Sequence, residues 1–237
     1  KKNVKDIVIP SEEMKIQIYP MDYEEFMWAV GKDTYPVLRE LYERGKAVGN
    51  SLNRKLMRDF RIYMAVGGMP QAVAAYVERK NFIEIDEVKR EIINLYKDDF
   101  FKIDNTGLIG RMYDSVPAQL ATNKKSYVIS AATGKKKIDK DLERFYDLLD
   151  SKTVLSCYNV LNPSVALAQT RADETFKLYL ADTGLFTTMI FNSSGEIDEN
   201  IYTKLLSDSL PADLGYLYEN AVAQMIAGSD RILYYHT

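Results

Sequence analysis

Ile138-Asp139-Lys140-Asp141-Leu142-Glu143-Arg144-Phe145-Tyr146-Asp147-Leu148-Leu149-Asp150-Ser151-Lys152-Thr153-Val154-Leu155-Ser156-Cys157-Tyr158-Asn159-Val160 changes its hydrophobic period partway along. Ile138, Leu142, Phe145 and Leu148 recur on one helical face, whereas Val154 to Val160 alternates in the manner of a half-buried strand. A second alternating run, Phe176 to Ala181, follows across the loop Leu161 to Thr175. Upstream, Leu108, Met112, Val116 and Leu120 predict a helix from about Gly107 to Ala121, bent at Pro117. Tyr127 to Ala132 leaves room for a turn or two of helix. Helix, short helix, helix, strand, loop, strand is the order of a winged helix-turn-helix, with residues 161–175 as its wing.

Working outward, Val4 to Ile9 and Lys15 to Tyr19 read as short strands. Two strands cannot bury a face by themselves, so they are expected to belong to a larger sheet whose other strands lie upstream of Lys1. Asp22-Tyr23-Glu24-Glu25 has capping-box spacing ahead of a helix with Tyr23, Phe26, Met27 and Val30 on one face. Further helices are expected from about Thr34 to Lys46, from near Arg54 to the break Gly67-Gly68-Met69-Pro70, and from Gln71 to Glu78. The strongest helical pattern runs from Glu84 to Lys102, with Ile85, Val88, Ile92, Leu95 and Phe100 opposite Glu87, Arg90, Glu91 and Lys97. Beyond Asp182-Thr183-Gly184, the polar run Asn192-Ser193-Ser194-Gly195 reads as a linker or surface loop. A helix from about Pro211 to Ala227 and a strand from Arg231 to His236 end the chain. The expected class is mainly α with small β elements (α+β).

Composition narrows the chemistry. With 46% hydrophobic and 27% charged residues among 237, the chain can bury a sizeable core. Lys+Arg 31 against Asp+Glu 34 gives a net charge of −3, which does not mark a nucleic-acid binder globally. One cysteine, Cys157, and one histidine, His236, leave no internal disulfide, no His-based zinc cluster and no Cys/His couple. No run approaches the ~20 apolar residues of a membrane helix, and no signal core follows the N-terminal lysines. A cytoplasmic protein with no membrane partner is expected.

Three stretches taken in order carry a resemblance: Tyr19-Pro20-Met21-Asp22-Tyr23-Glu24-Glu25-Phe26, Gly67-Gly68-Met69-Pro70-Gln71-Ala72-Val73, and Phe176-Lys177-Leu178-Tyr179-Leu180-Ala181-Asp182-Thr183-Gly184-Leu185. Together they resemble a prokaryotic family that joins an AAA+-type ATPase domain to a C-terminal region of unknown function. The resemblance implies that residues 1–104 hold the end of the ATPase domain and its helical lid. It further implies a winged-helix domain at 105–190 and the start of a restriction-endonuclease-like domain at 191–237. ATP and magnesium would serve the parent protein, and a homo-oligomer is in keeping with such ATPases. The chain holds no G-x-x-x-x-G-K-[ST] loop. Near Gly134-Lys135-Lys136, Ile129 stands where the first glycine belongs and Lys136 where the hydroxyl belongs, so no cofactor and no ATP turnover are expected for this chain alone.

Candidate sites carry two readings each. Gly67, Gly68 and Pro70 form either a plain helix break or, by the resemblance, a nucleotide-proximal Gly-x-Pro element, since glycines permit close backbone approach. Lys124, Lys125, Lys135, Lys136, Lys137, Lys140 and Arg144 form either a solvated face or a phosphate-binding edge of the recognition helix. Asp139, Asp141 and Glu143 on that helix would repel a phosphate backbone, so the winged segment could dock DNA or a protein partner. Glu219 matches an acidic position of the nuclease-like fold and is either a surface acid or a metal ligand. Cys157 reads as a buried small side chain and His236 as a strand residue. The functional expectation is a region coupling nucleotide state to a DNA or protein partner; a stand-alone helix-turn-helix module and a nuclease remnant are the alternatives.

Overall fold

The computed structural model describes residues 16–122, 126–134, 139–191, 199–207 and 215–237. Its first helix, α1 (Tyr23–Ala29), begins at the expected capping box: the Glu25 amide donates to the Asp22 carboxylate and the Asp22 amide to the Glu25 carboxylate, both at 2.9 Å. Such a cap is worth about 1 kcal/mol. α2 (Tyr35–Glu43) and α3 (Asn50–Val66) follow, and α3 stops at Gly67, whose φ of 85° is a left-handed value that glycine adopts freely. Pro70 then opens α4 (Pro70–Arg79), and α5 (Phe82–Ile103) starts on Asn81, whose side chain accepts from the Ile83 amide at 3.0 Å. Residues 16–20 belong to no helix or strand, in contrast to the strand expected there, and residues 4–9 lie outside the described residues. Leu95, expected in the buried stripe of α5, is 63% exposed.

The bend at Pro117 is a full break between α6 (Leu108–Asp114) and α7 (Val116–Ala121). Proline lacks the N–H that would continue the earlier helix, and it sits comfortably in the first turn of the next. α8 (Ile129–Thr133) and α9 (Asp139–Asp150) lead into β1 (Val154–Val160), a short 3₁₀ turn (Leu167–Thr170) and β2 (Arg171–Leu180). The two strands pair antiparallel with an irregularity at Tyr158/Asn159, and because β2 starts at Arg171 the connecting loop is shorter than expected.

α10 (Thr183–Phe191) follows β2 directly, with Thr183 through Thr188 all buried. α11 (Glu199–Leu206), α12 (Gly215–Gly228) and β3 (Leu233–Tyr235) complete the order. β3 pairs parallel to β1, giving a mixed sheet of order β2-β1-β3. The fold is thus mainly helical with a small sheet. One apolar cluster runs from Met64 on α3 and Ile92 on α5 through Met112, Phe145 and Leu180 to Ala221 on α12 and Leu233 on β3. The boundaries expected near 104 and 190 both cut through it. A second cluster holds α1, the end of α3 and α4 together around Phe26, Met27, Tyr63 and Val73.

Candidate functional site

The three stretches far apart in sequence converge on Gly68. The Met21 amide donates to the Gly68 carbonyl at 2.8 Å, and the Gly68 amide donates to Asp182 Oδ2 at 2.6 Å. Asp182 Oδ1 accepts from the Leu185 amide at 2.8 Å, so this carboxylate caps the start of α10 while holding the end of α3. A Cβ on Gly68 would come within 2.6 Å of the Met21 nitrogen, and one on Gly184 within 2.5 Å of the Val66 carbonyl carbon. Glycine is required here because backbone lies against backbone. α12 closes the arrangement: Gln224 accepts from the Thr183 amide at 2.7 Å and donates to the Met21 carbonyl at 3.1 Å. Tyr63 donates to the same carbonyl at 3.0 Å.

Beside this junction lies a set of buried charges that periodicity did not single out. Lys89 on α5 is fully buried and donates to the Ala65 carbonyl at 2.7 Å, to Tyr202 Oη at 3.0 Å and, longer, to the Gly184 carbonyl at 3.4 Å. Its ammonium is 3.7 Å from Asp86, which accepts from Thr188 at 2.7 Å, from Tyr202 at 2.5 Å and from Arg90 at 2.7 Å. Burial pushes the Lys89 ammonium down to about 8, against the pull of Asp86 and Asp182. Burial would raise Asp86, but the Lys89 charge and the donors around it hold its carboxyl below the ordinary value. Asp182 goes the other way: burial raises it despite the amides of Leu185 and Gly68 and the charge of Lys89. The sequence signal for this cluster was available, since Asp86 and Lys89 flank Ile85 and Val88 on the inward side of α5.

The expected site residues fall in different places. Gly67 and Gly68 are buried, and the space beside them is filled by Met21, Asp182 and Gly184, so the close approach predicted for a nucleotide is taken up by protein. Pro70 is exposed at the start of α4. Lys124, Lys125, Lys135, Lys136 and Lys137 lie outside the described residues. Lys140 is exposed on α9, but Arg144 is half-buried and pairs with Asp104 at 3.2 Å and with Asp141 at 3.1 Å, which ties α9 to the end of α5. Glu219 is half-exposed on α12, 3.4 Å from Lys177 Nζ and accepting from Tyr179 at 3.3 Å. Its neighbours are therefore a cation and a phenol, and among the described residues no group of three or more His, Cys, Asp or Glu side chains is placed to hold a metal ion. Its neighbour Asn220 is buried and satisfies both the amide and the carbonyl of Leu180, at 2.8 and 3.2 Å. His236 Nδ1 lies 2.7 Å from the Val160 carbonyl, and Cys157 is buried in β1 with its thiol pushed up to about 11 by burial.

Between α8, α9 and the β1–β2 hairpin runs a cleft of about 530 Å³ lined by Tyr127, Phe145, Tyr146, Tyr158, Arg171 and Glu174. The Arg171 guanidinium stacks 4.1 Å from the Tyr158 ring centre and pairs with Asp173 at 2.5 Å. On the outward side of α9, Lys140 is set against exposed Glu143 and Asp150. Among the described residues no helix is long and apolar enough to cross a membrane.

Residues 57–196 match the family described as "Domain of unknown function (DUF8612)", and since that stretch is more than half of the chain, the chain belongs to this family. The matched span includes both Gly67-Gly68 and Asp182-Thr183-Gly184, whereas Met21 and α12, which complete the junction, lie outside it. No curated protein and no solved structure matches the chain.

Proposed function

We propose that this chain is a regulatory binding region of an AAA+-type ATPase, in which a winged-helix segment at 105–190 engages a protein partner and the helical segment before it reports nucleotide state. The observation that carries the reading is the junction at Gly68, where the Met21 backbone lies directly against Gly68 and the Val66 backbone against Gly184, and the Asp182 and Gln224 side chains tie these segments together. Backbones in direct contact leave no slack for side-chain rearrangement, so a displacement of α3 and α4 is passed to α10 and to β2 beyond it. The order α6/α7, α8, α9, β1, β2 supports the winged-helix reading. Acidic side chains on the outward face of α9 and around the cleft favour a protein over a phosphate backbone as partner.

The test is a fluorescence-anisotropy titration of a labelled random-sequence duplex at low and moderate salt, with and without ATP and magnesium. The expected result is no saturable duplex binding and no cleavage. Saturable binding that falls steeply with salt would replace this reading with a helix-turn-helix DNA binder, and magnesium-dependent cutting would replace it with a nuclease. Amide exchange at Gly68 and Leu185 in a protein carrying the ATPase segment then checks the coupling: it is expected to change with nucleotide, and invariance would remove the relay.

A further inference from the structure

The cleft between α8, α9 and the β1–β2 hairpin has a floor of rings and a rim of carboxylates. Phe145 and Phe176 stack at 4.8 Å with Tyr127 at 6.3 Å from each, and all three are buried, whereas Tyr146 on the α9 wall is 60% exposed. The opposite wall is where β2 is irregular. Tyr158 stands across from Phe176 and Asn159 from Ala172, so residues 173–175 have no partner in the ladder. Neighbouring side chains of a regular strand point to opposite faces, yet here Asp173 and Glu174 both line the cleft. Bulges re-aim side chains in this way beside functional sites. Asp173 is already engaged, because it holds Arg171, whose guanidinium lies 4.1 Å from the Tyr158 ring centre. Glu174 is exposed and has no hydrogen-bond or ion-pair partner among the described residues. The same holds for Glu143 and Asp150, which lie one helical turn before and after Tyr146 and share its side of α9.

We infer that this cleft binds an arginine-bearing peptide segment of a partner protein: a guanidinium lies on the Tyr146 ring and pairs with Glu174, and Glu143 and Asp150 attract further cations of the same segment. Arg171 displays the geometry within the chain itself, a guanidinium over a tyrosine ring held by a carboxylate of the bulge. Tyr146 and Glu174 repeat that ring and that carboxylate on exposed side chains, with the carboxylate uncommitted. Arginine suits the pair better than lysine, since its flat guanidinium stacks on a ring while its edge donates to a carboxylate. An anionic partner is disfavoured: Asp173 offsets Arg171, and the three remaining rim carboxylates stand against Lys140 alone on α9. At about 530 Å³ the cleft has the size of a ligand site and takes a short segment rather than a folded domain. The inference rests on the proposed reading in taking residues 105–190 as the partner-binding segment, and it adds the chemistry of that partner.

Fluorescence anisotropy of a labelled heptapeptide of alternating glycine and arginine, titrated with the whole chain at moderate salt, tests it beside the lysine and glutamate counterparts of the same peptide. Saturable binding of the arginine peptide is expected, with weaker binding of the lysine peptide and none of the glutamate peptide. Tyr146→Ala and Glu174→Gln, both at exposed positions, should each weaken binding by about threefold or more. Glu78→Gln removes an exposed carboxylate on α4, away from the cleft, and should leave binding unchanged. This control separates a site from the general attraction of a cationic peptide to an acidic chain. No saturable binding of the arginine peptide, equal binding of either counterpart, binding undiminished in Tyr146→Ala or Glu174→Gln, or an equal loss in Glu78→Gln would each overturn the inference. The duplex titration and amide exchange at Gly68 are read without this peptide, so failure here removes the partner's chemistry and leaves the proposed function to be judged by those two measurements.

Discussion

At Gly68 one methyl group decides whether α3 can meet the chain before α1. A Cβ there would lie within 2.6 Å of the Met21 nitrogen and would force apart a contact that Asp182 and Gln224 also hold. Gly68→Ala is therefore expected to destabilise the protein by about 3 kcal/mol or more. Gly110, in α6 with nothing near its Cβ position, is the matched control; Gly110→Ala should be neutral or stabilise by up to about 1 kcal/mol. Urea unfolding of the two variants distinguishes packing at the junction from a general intolerance of alanine. At Lys89 the sign is set by its depressed folded value of about 8 against the ordinary 10.5. Below pH 8 both folded and unfolded chains hold the proton, and the folded state carries the cost of the buried charge. Between pH 8 and 10.5 the folded chain releases the proton first, so stability rises with pH by about 2 kcal/mol up to pH 10. Above pH 10 the buried tyrosines, raised by burial, reverse the trend. Lys89→Met should remove the rise between pH 8 and 10 in urea midpoints measured across that range; an unchanged slope would place its cause elsewhere.

Among the elements, β2 shows how an edge strand is closed without a further strand. The Phe176 carbonyl accepts from the Tyr127 amide at 2.7 Å, and Asn220 covers both polar groups of Leu180. Asn220→Ala would leave a buried amide and carbonyl unpaired and is expected to cost about 2 kcal/mol. Thermal unfolding measures this, and Glu219→Ala one residue earlier, which removes a half-exposed carboxylate from half-buried Lys177 and buried Tyr179, should cost less than about 1 kcal/mol. Much at this scale was legible in sequence: the capping box at Asp22, the helix starts at Pro70 and near Glu84, and the α9–β1–β2 succession all follow from spacing. α10 was not, because Thr183 through Thr188 are buried together and a helix buried all round has no polar face to give it a period. Arg144 was read among phosphate-binding cations because spacing gives its charge but not its partners; Asp104, forty residues earlier, claims it in space. The junction was half legible: its pieces were recognisable as stretches, yet the contact between Gly68 and Asp182 spans |i−j| = 114, which no local pattern encodes.

For the molecule as a whole, the continuity of the core bears on whether residues 105–190 can act alone. α10 is buried against α3, α5 and α12, and β1 pairs with β3 from the far end of the chain. A fragment of 105–190 would keep the hairpin and α6 to α9 but would expose Leu185 and Phe186 on α10, each buried in the intact chain at 2% and 0% exposure. Uncovering two such side chains forfeits about 4 kcal/mol, a large part of the stability of a segment this size. The fragment is therefore expected to be aggregated or to lack dispersed side-chain NMR signals, whereas the whole chain unfolds in one transition when fluorescence and far-UV dichroism are followed together. A fragment with dispersed signals and its own cooperative melt would mean that the helix–hairpin segment is an independent module, and the relay through Gly68 would then have no structural basis, since a segment that holds its shape alone has no need of α3 to set it.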